Sequence, residues 1–85
     1  MKEKIQVDEG NGYIVYAIDA ILIGDKKQVA IFRTNIWVGD LTSGFQQDSL
    51  CIAFKEAFST FNLQITIPIE FADEFISAVK EFVSG

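Results

Sequence analysis

The sequence predicts an α+β domain: an antiparallel sheet of about four strands with two helices, in the order β-β-β-α-β-α. Three observations lead to this prediction. Residues 63–71, LQITIPIEF, place apolar side chains at every second position, as a half-buried strand does. Residues 13–23 and 28–38 are rich in Ile, Val and aromatic residues and flank the segment GDKK, as in a β-hairpin. Residues 72–84, ADEFISAVKEFVS, repeat apolar side chains at helical spacing.

The N-terminal segment is predicted to form the first strand and its turn. Residues 3–8 alternate between apolar and polar side chains, which is typical of a half-buried strand. The following segment, 9–12, contains Gly-Asn-Gly, whose residues adopt the positive φ that a tight hairpin requires. We therefore expect a turn at 9–12 and a second strand that begins at Tyr13.

The hairpin formed by the second and third predicted strands has a preferred register. If Gly24 faces Gln28, one face is almost wholly apolar, and Asp19 lies opposite Arg33 as a favourable cross-strand pair. A one-residue slip would mix the two sets of side chains. The other face is also largely apolar, so we expect helices on one side of the sheet and a second subunit on the other. The predicted apolar face comprises Ile14, Tyr16, Ile18, Ala20 and Leu22 with Ala30, Phe32, Thr34, Ile36 and Val38.

The middle of the chain is predicted to be a loop followed by the first helix. Gly, Asp, Thr and Ser cluster in residues 38–49, which favours a loop. Apolar residues at helical spacing predict a helix over 49–61, with Asp48 or Ser49 as the N-cap. The alternative interpretation of this mixed apolar run is a short strand.

The last strand and the last helix follow without a linker. The strand over 63–71 contains Pro68, which has no N–H for a neighbouring strand. We therefore expect this strand at an edge of the sheet, or with the N–H side of Pro68 facing away from a partner, where it discourages edge-to-edge association. The helix over 72–84 has Asp73 and Glu74 in its first turn, as the helix dipole favours.

Composition indicates a single domain, residues 1–85, that associates with itself. The chain is 49% hydrophobic and contains eight Phe, more apolar side chains than a lone domain of this size needs to bury. The net charge of −5 argues against nucleic acid as a partner, because phosphates are bound mainly by Lys and Arg. The N-terminus does not resemble a signal peptide, and the run YIVYAIDAILI is too short to span a membrane. We expect a cytoplasmic protein without membrane contact.

The residue types present do not favour catalysis. The chain has no His, which removes the commonest general base and the commonest transition-metal ligand. Its only cysteine, Cys51, lies in an apolar run and is interpreted as a buried, inert thiol. The segment GDLTSG at 39–44 lacks the Gly-Lys-Ser/Thr of a phosphate-binding loop. We expect no enzymatic activity, no cofactor and no metal.

The second half of the chain resembles one known family in its order of elements. In ITIPIEFADEFISAVKEF a last strand turns directly into a final helix, which is similar to the arrangement in whirly-type single-strand DNA binders. The resemblance implies dimerisation through such elements and binding of single strands. No residue motif matches, and the basic, base-stacking strand surface that those proteins use is missing here.

Four residues are the candidates for partner or ligand binding: Tyr13, Arg33, Asn35 and Trp37. Aromatic residues and Arg are favoured at interfaces. The alternative interpretation is that the aromatic residues fill the core and that Arg33 only pairs with Asp19.

The resulting functional hypothesis is a small non-catalytic protein-binding or assembly module that acts as a homo-oligomer, such as a phage-type inhibitor or accessory factor. The alternative is a binder of a small anionic ligand or nucleotide at a subunit junction. Single-stranded nucleic-acid binding is the third hypothesis.

Overall fold

The computed structural model describes residues 2–8, 14–55 and 60–84. These residues form five strands, a short 3₁₀ turn and one helix. Successive strands pair antiparallel as a meander, and parallel pairing of the first strand with the fifth closes a barrel. The elements are β1 (Lys2–Asp8), β2 (Ile14–Ile23), β3 (Val29–Val38), β4 (Phe45–Lys55), β5 (Phe61–Pro68), the 3₁₀ turn Ile69–Phe71 and α1 (Ala72–Ser84).

The predicted order β-β-β-α-β-α is wrong, because the segment assigned to the first helix is strand β4. The interior of the barrel is narrow, and β4 fills it with Ser49, Cys51 and Ala53, all buried. The outward side chains of the second half of β4, Leu50, Ile52 and Phe54, are also apolar, so the period of two is hidden in this part of the sequence. The strand interpretation of this run is therefore confirmed. Of the rest of the predicted helix, residues 56–59 lie outside the described residues, and Phe61 begins strand β5.

The predicted loop over 38–49 is also too long. The connection between β3 and β4 spans only residues 39–44. The polar residues Gln46, Gln47 and Asp48 belong to β4. They lie in a part of the β3–β4 hairpin that the rest of the barrel covers poorly, which is why a strand there tolerates polar side chains.

The strand with the proline ends earlier than predicted. Strand β5 stops at Pro68, and Ile69–Phe71 forms the 3₁₀ turn that leads into α1. Beyond Asn62, only β4 pairs with β5 among the described residues, so the prediction of an edge is confirmed for this part of the strand. The helix predicted over 72–84 is confirmed as α1, and the first predicted strand is confirmed as β1.

A bulge in β2 overturns the predicted apolar face. Glu3 pairs with Ala20, whereas Ile5 pairs with Ala17, so β2 contains one extra residue between these pairs. The extra residue reverses the alternation, and both alanines point into the barrel. Three side chains predicted to share the buried face are exposed instead: Ile14, Tyr16 and Ile18. The predicted turn at 9–12 lies outside the described residues.

The core of the barrel is small. Its largest completely buried side chains are Val7, Cys51 and Ser49, and several of its other members are alanines. Because few large side chains fit inside, many of the apolar residues that raised the hydrophobic fraction lie on the outside. The buried cluster comprises Ile5, Val7, Ala17, Ala20, Ala30, Phe32, Cys51, Ala53 and Phe61.

Strands β2 and β3 pair over a short distance only. The pairs Ile21↔Ile31, Leu22↔Ala30 and Ile23↔Val29 confirm the predicted register. No further pairs between the two strands follow in the described residues, whereas β3 stays paired with β4 as far as Val38↔Phe45. The predicted pair of Asp19 with Arg33 is therefore wrong, because the two strands separate before these residues meet.

Candidate functional site

The separation of β2 from β3 opens a cleft in the barrel wall, which we call the β2–β3 cleft. It has a volume of about 580 Å³. Its charged lining residues are two cationic and two anionic side chains, so the charges of the lining balance. The lining comprises Lys2, Asp19, Ile21, Ile31, Phe32, Arg33, Thr34, Asn35, Asp48 and Leu50.

One wall of the cleft carries a bidentate ion pair between Arg33 and Asp48. Arg33 Nε donates to Asp48 Oδ1 at 2.9 Å, and Arg33 Nη2 donates to Asp48 Oδ2 at 2.6 Å. In the β3–β4 register Arg33 faces Leu50, so Asp48 is its diagonal neighbour. The hydrogen bonds from Arg33, more than its charge, lower the pKa of the Asp48 carboxyl, and the same contact raises the pKa of Arg33. The guanidinium is thus already matched with a carboxylate.

The backbone of β3 directs alternate hydrogen-bonding groups into the cleft. The Lys55 N–H donates to the Gln28 carbonyl at 2.8 Å, which marks these opposed residues as a hydrogen-bonded pair. Since such pairs recur at every second residue, Phe32, Thr34 and Ile36 direct their N–H and C=O groups toward β4. The backbone groups of the intervening residues point the other way. We call this row, Arg33, Asn35 and Trp37, the open β3 edge; no described strand pairs with it.

Trp37 stands at the far end of the open β3 edge and is held by the turn beside it. Its indole Nε1–H donates to the Asp40 carbonyl at 3.1 Å. A Cβ added to Gly44 would lie 2.5 Å from the indole ring, so only glycine allows the turn to approach the ring this closely. The side chain remains 49% exposed. The interpretation of Trp37 as a core residue is therefore wrong.

Three of the four sequence-predicted site residues lie together. Arg33, Asn35 and Trp37 alternate along β3 and share one face of it. Tyr13 lies outside the described residues. Sequence reasoning missed Asp48, because residues 45–49 were interpreted as a loop; a strand there would have placed Asp48 diagonally opposite Arg33.

Helix α1 presents a second exposed surface, which we call the helix face. Only Ala72 of the helix is buried, and the nearest packing partner of the helix is the 3₁₀ turn that precedes it. Phe82 and Val83 are 90% and 81% exposed. The charged residues Asp73, Glu74 and Glu81 lie on the other side of the helix. The helix face comprises the half-buried Phe75 and the exposed Ile76, Val79, Phe82 and Val83.

The outer face of β2 adds further exposed apolar area. The bulge turns Ile14, Tyr16 and Ile18 outward, and Ile18 is 70% exposed. The Lys4 ammonium lies 5.0 Å from the centroid of the Tyr16 ring, a cation–π contact that covers part of this surface. No described helix or strand covers these three side chains.

No protein-family model, no curated protein and no solved structure matches this chain. Among the described residues, no helix is both long enough and apolar enough to cross a membrane. In the same part of the chain, no three His, Cys, Asp or Glu side chains come together as metal ligands would. Cys51 is completely buried, as the sequence predicted.

Proposed function

We propose that this chain is a non-catalytic protein-binding and assembly module of the cytoplasm, and that it forms a homodimer through the helix face. The observation that carries the proposal is the exposure of that face. An amphipathic helix of 13 residues is too short to be stable alone in water and depends on tertiary packing of its apolar side. Since the barrel leaves most of this side of α1 exposed, a second molecule is the natural source of that packing.

The surface area of the chain supports the same conclusion. The accessible surface is 6513 Å², whereas a compact monomer of 9.5 kDa exposes about 5,000 Å². The excess of about 1,500 Å² is larger than the roughly 800 Å² that each partner buries in a standard protein–protein interface. A dimer of this kind therefore has enough accessible surface available.

A second copy is the occupant that fits the helix face best. Two-fold symmetry pairs one patch with itself, so an uncharged apolar stripe meets an identical stripe. In an antiparallel pair of α1 helices, Asp73, Glu74 and Glu81 stay in water on both copies. A net charge of −5 on each chain opposes association at long range, and the absence of charge from the stripe limits this repulsion at contact.

The alternative of an anion binder receives less support. Arg33, the only arginine of the chain, is engaged by both oxygens of Asp48. A phosphate or carboxylate ligand would have to displace the Asp48 carboxylate from Arg33. The ligand would then lie beside that negative charge, which is unfavourable. The same reasoning applies to single-stranded nucleic acid, whose backbone would meet Asp19 and Asp48 in the cleft.

Sedimentation equilibrium of two matched variants tests the proposal. Phe82→Glu places a carboxylate in the helix face, whereas Ser77→Glu adds the same charge to the polar side of α1. We expect the first variant to weaken dimerisation about 100-fold or more, since each substitution enters the symmetric interface twice. The second variant should dimerise like the unmodified chain.

Circular dichroism of both variants checks that the barrel is intact. A chain that stays monomeric at every concentration would contradict the proposal, as would a Phe82→Glu variant that dimerises normally.

A further inference from the structure

The open β3 edge lies opposite a segment of β2 that also has no partner on its cleft side. On the far side of the β2–β3 cleft, Ile14–Ala17 and Ala20 of β2 pair with β1, and none of residues 14–20 pairs with β3. The cleft is thus a gap between two strands of one sheet, with backbone hydrogen-bonding groups along the β3 wall. Each missing strand pair leaves N–H and C=O groups that a further strand would satisfy.

We propose that the open β3 edge binds an extended peptide segment of a partner protein, which adds a strand beside β3. This proposal rests on the proposed function as a protein-binding module but uses a different surface from the helix face. In such β-augmentation the main chain supplies most of the affinity, and alternate side chains supply the specificity. The groups that pair with the peptide backbone are the N–H and C=O groups of Arg33, Asn35 and Trp37.

The two sides of the added strand would meet different surroundings. Its inward side chains approach Thr34 and Ile36, which belong to the inner face of β3 where the barrel is open. Apolar residues fit best there. Its outward side chains approach Trp37 and the Arg33–Asp48 pair, a mixed surface that does not select one charge.

Net charge favours a basic segment. The charged side chains that line the cleft cancel, so they neither attract nor repel the peptide strongly. The whole chain, in contrast, carries −5 and attracts a cationic segment during the encounter. We therefore infer a partner segment in which apolar and basic residues alternate.

The test uses a peptide of seven residues in which Lys and Val alternate, capped at both ends, and the full chain. Three comparison peptides accompany it: one with Glu in place of Lys, one with the same composition in non-alternating order, and one N-methylated at every second backbone amide. Binding is followed by the fluorescence of Trp37, the single tryptophan, and by amide chemical shifts and hydrogen exchange at the open β3 edge.

We expect the alternating basic peptide to bind and to protect the amides of Arg33, Asn35 and Trp37. N-methylation on the edge that faces β3 removes the backbone donors and should weaken binding about tenfold or more, because several hydrogen bonds are lost together. Asn35→Pro removes one protein donor and should weaken binding similarly, whereas Asn35→Thr should bind normally.

Several outcomes would overturn the proposal: no binding of any peptide, equal binding of the N-methylated peptide, or shifts confined to another surface. Amide protection that grows with protein concentration in the absence of peptide would show a second copy at the edge, which also overturns it. Repeating the titration with Phe82→Glu separates the two proposals. Peptide binding by that variant would support the open β3 edge even if the helix-face dimer were disproved. Dimerisation through the helix face would likewise be supported even if no peptide bound.

Discussion

The contact between Arg33 and Asp48 makes a pH-dependent contribution to the β3–β4 hairpin. The pKa of Asp48 is lowered in the folded chain by its hydrogen bonds from Arg33. A carboxyl whose folded pKa is lower than its unfolded pKa stabilises the fold above the unfolded value and loses that contribution as pH falls through the folded value. Because the unfolded value is about 3.9, the loss belongs to the acid range below about pH 4.

An NMR titration of the Asp48 carboxyl carbon measures this contribution directly. We expect a midpoint below that of an ordinary aspartate, and a return toward the ordinary value in Arg33→Gln, which removes the charge and the guanidinium donors but keeps a polar side chain. An Asp48 midpoint that does not change in Arg33→Gln would show that the contact is not formed in solution.

At the scale of single residues, the sequence predicts side-chain chemistry better than partners. It singles out Arg33, Asn35 and Trp37, and the structure aligns these residues on one strand face. It names the wrong partner for Arg33, because the partner depends on where β2 and β3 separate, which is next to the bulge in β2. A bulge of one residue leaves no clear mark in a run such as IVYAIDAILI, where both faces are apolar.

At the scale of elements, β4 shows where the periodicity of a sequence is ambiguous. The same residues fit a helical stripe and a strand with two apolar faces. The two interpretations differ in the size of the side chains that must point into the barrel. A strand in a narrow barrel needs small inward side chains, which Ser49, Cys51 and Ala53 provide. In the helical interpretation Ala53 does not belong to the apolar stripe, so nothing requires its side chain to be small. The small side chain at this position therefore favours the strand.

Enlarging the residue at position 53 tests the strand assignment. Ala53 is completely buried and pairs with Ala30 and Leu63. We expect Ala53→Leu to reduce the free energy of unfolding by about 1–3 kcal/mol, because the added methyl groups overfill the barrel. The neighbouring Ile52→Leu, on the outer face, should change it by about 0.5 kcal/mol or less.

Urea denaturation followed by circular dichroism gives both values for this pair of variants. Equal stability of Ala53→Leu and Ile52→Leu would contradict the inward position of Ala53.

At the scale of the whole molecule, the chain is more extended than its length requires. Its radius of gyration is 13.7 Å, whereas a compact domain of 85 residues has about 12 Å. The helix that packs mainly on its own 3₁₀ turn and the long β3–β4 hairpin both contribute to this shape. The sequence already indicated surplus apolar surface through its 49% hydrophobic content. It could not indicate which surface is exposed, because that depends on whether α1 packs against the barrel.

The two proposed interactions respond to salt in opposite directions, which provides the broadest test of the charge arguments. Dimerisation through the helix face brings together two chains of charge −5, so salt weakens their repulsion and should strengthen the dimer. Binding of a basic peptide at the open β3 edge depends on attraction to the same charge, so salt should weaken it. Raising the ionic strength from about 0.01 M to 0.1 M shortens the Debye length from about 30 Å to 10 Å, less than the 44 Å length of the chain.

Sedimentation and peptide titration at these two ionic strengths measure both effects on one protein sample. Because apolar contact and backbone hydrogen bonds respond less to salt than exposed charges do, we expect each dissociation constant to change modestly and with opposite sign. A dimer that dissociates on addition of salt would mean that ion pairs, and not the apolar helix face, hold the two copies together.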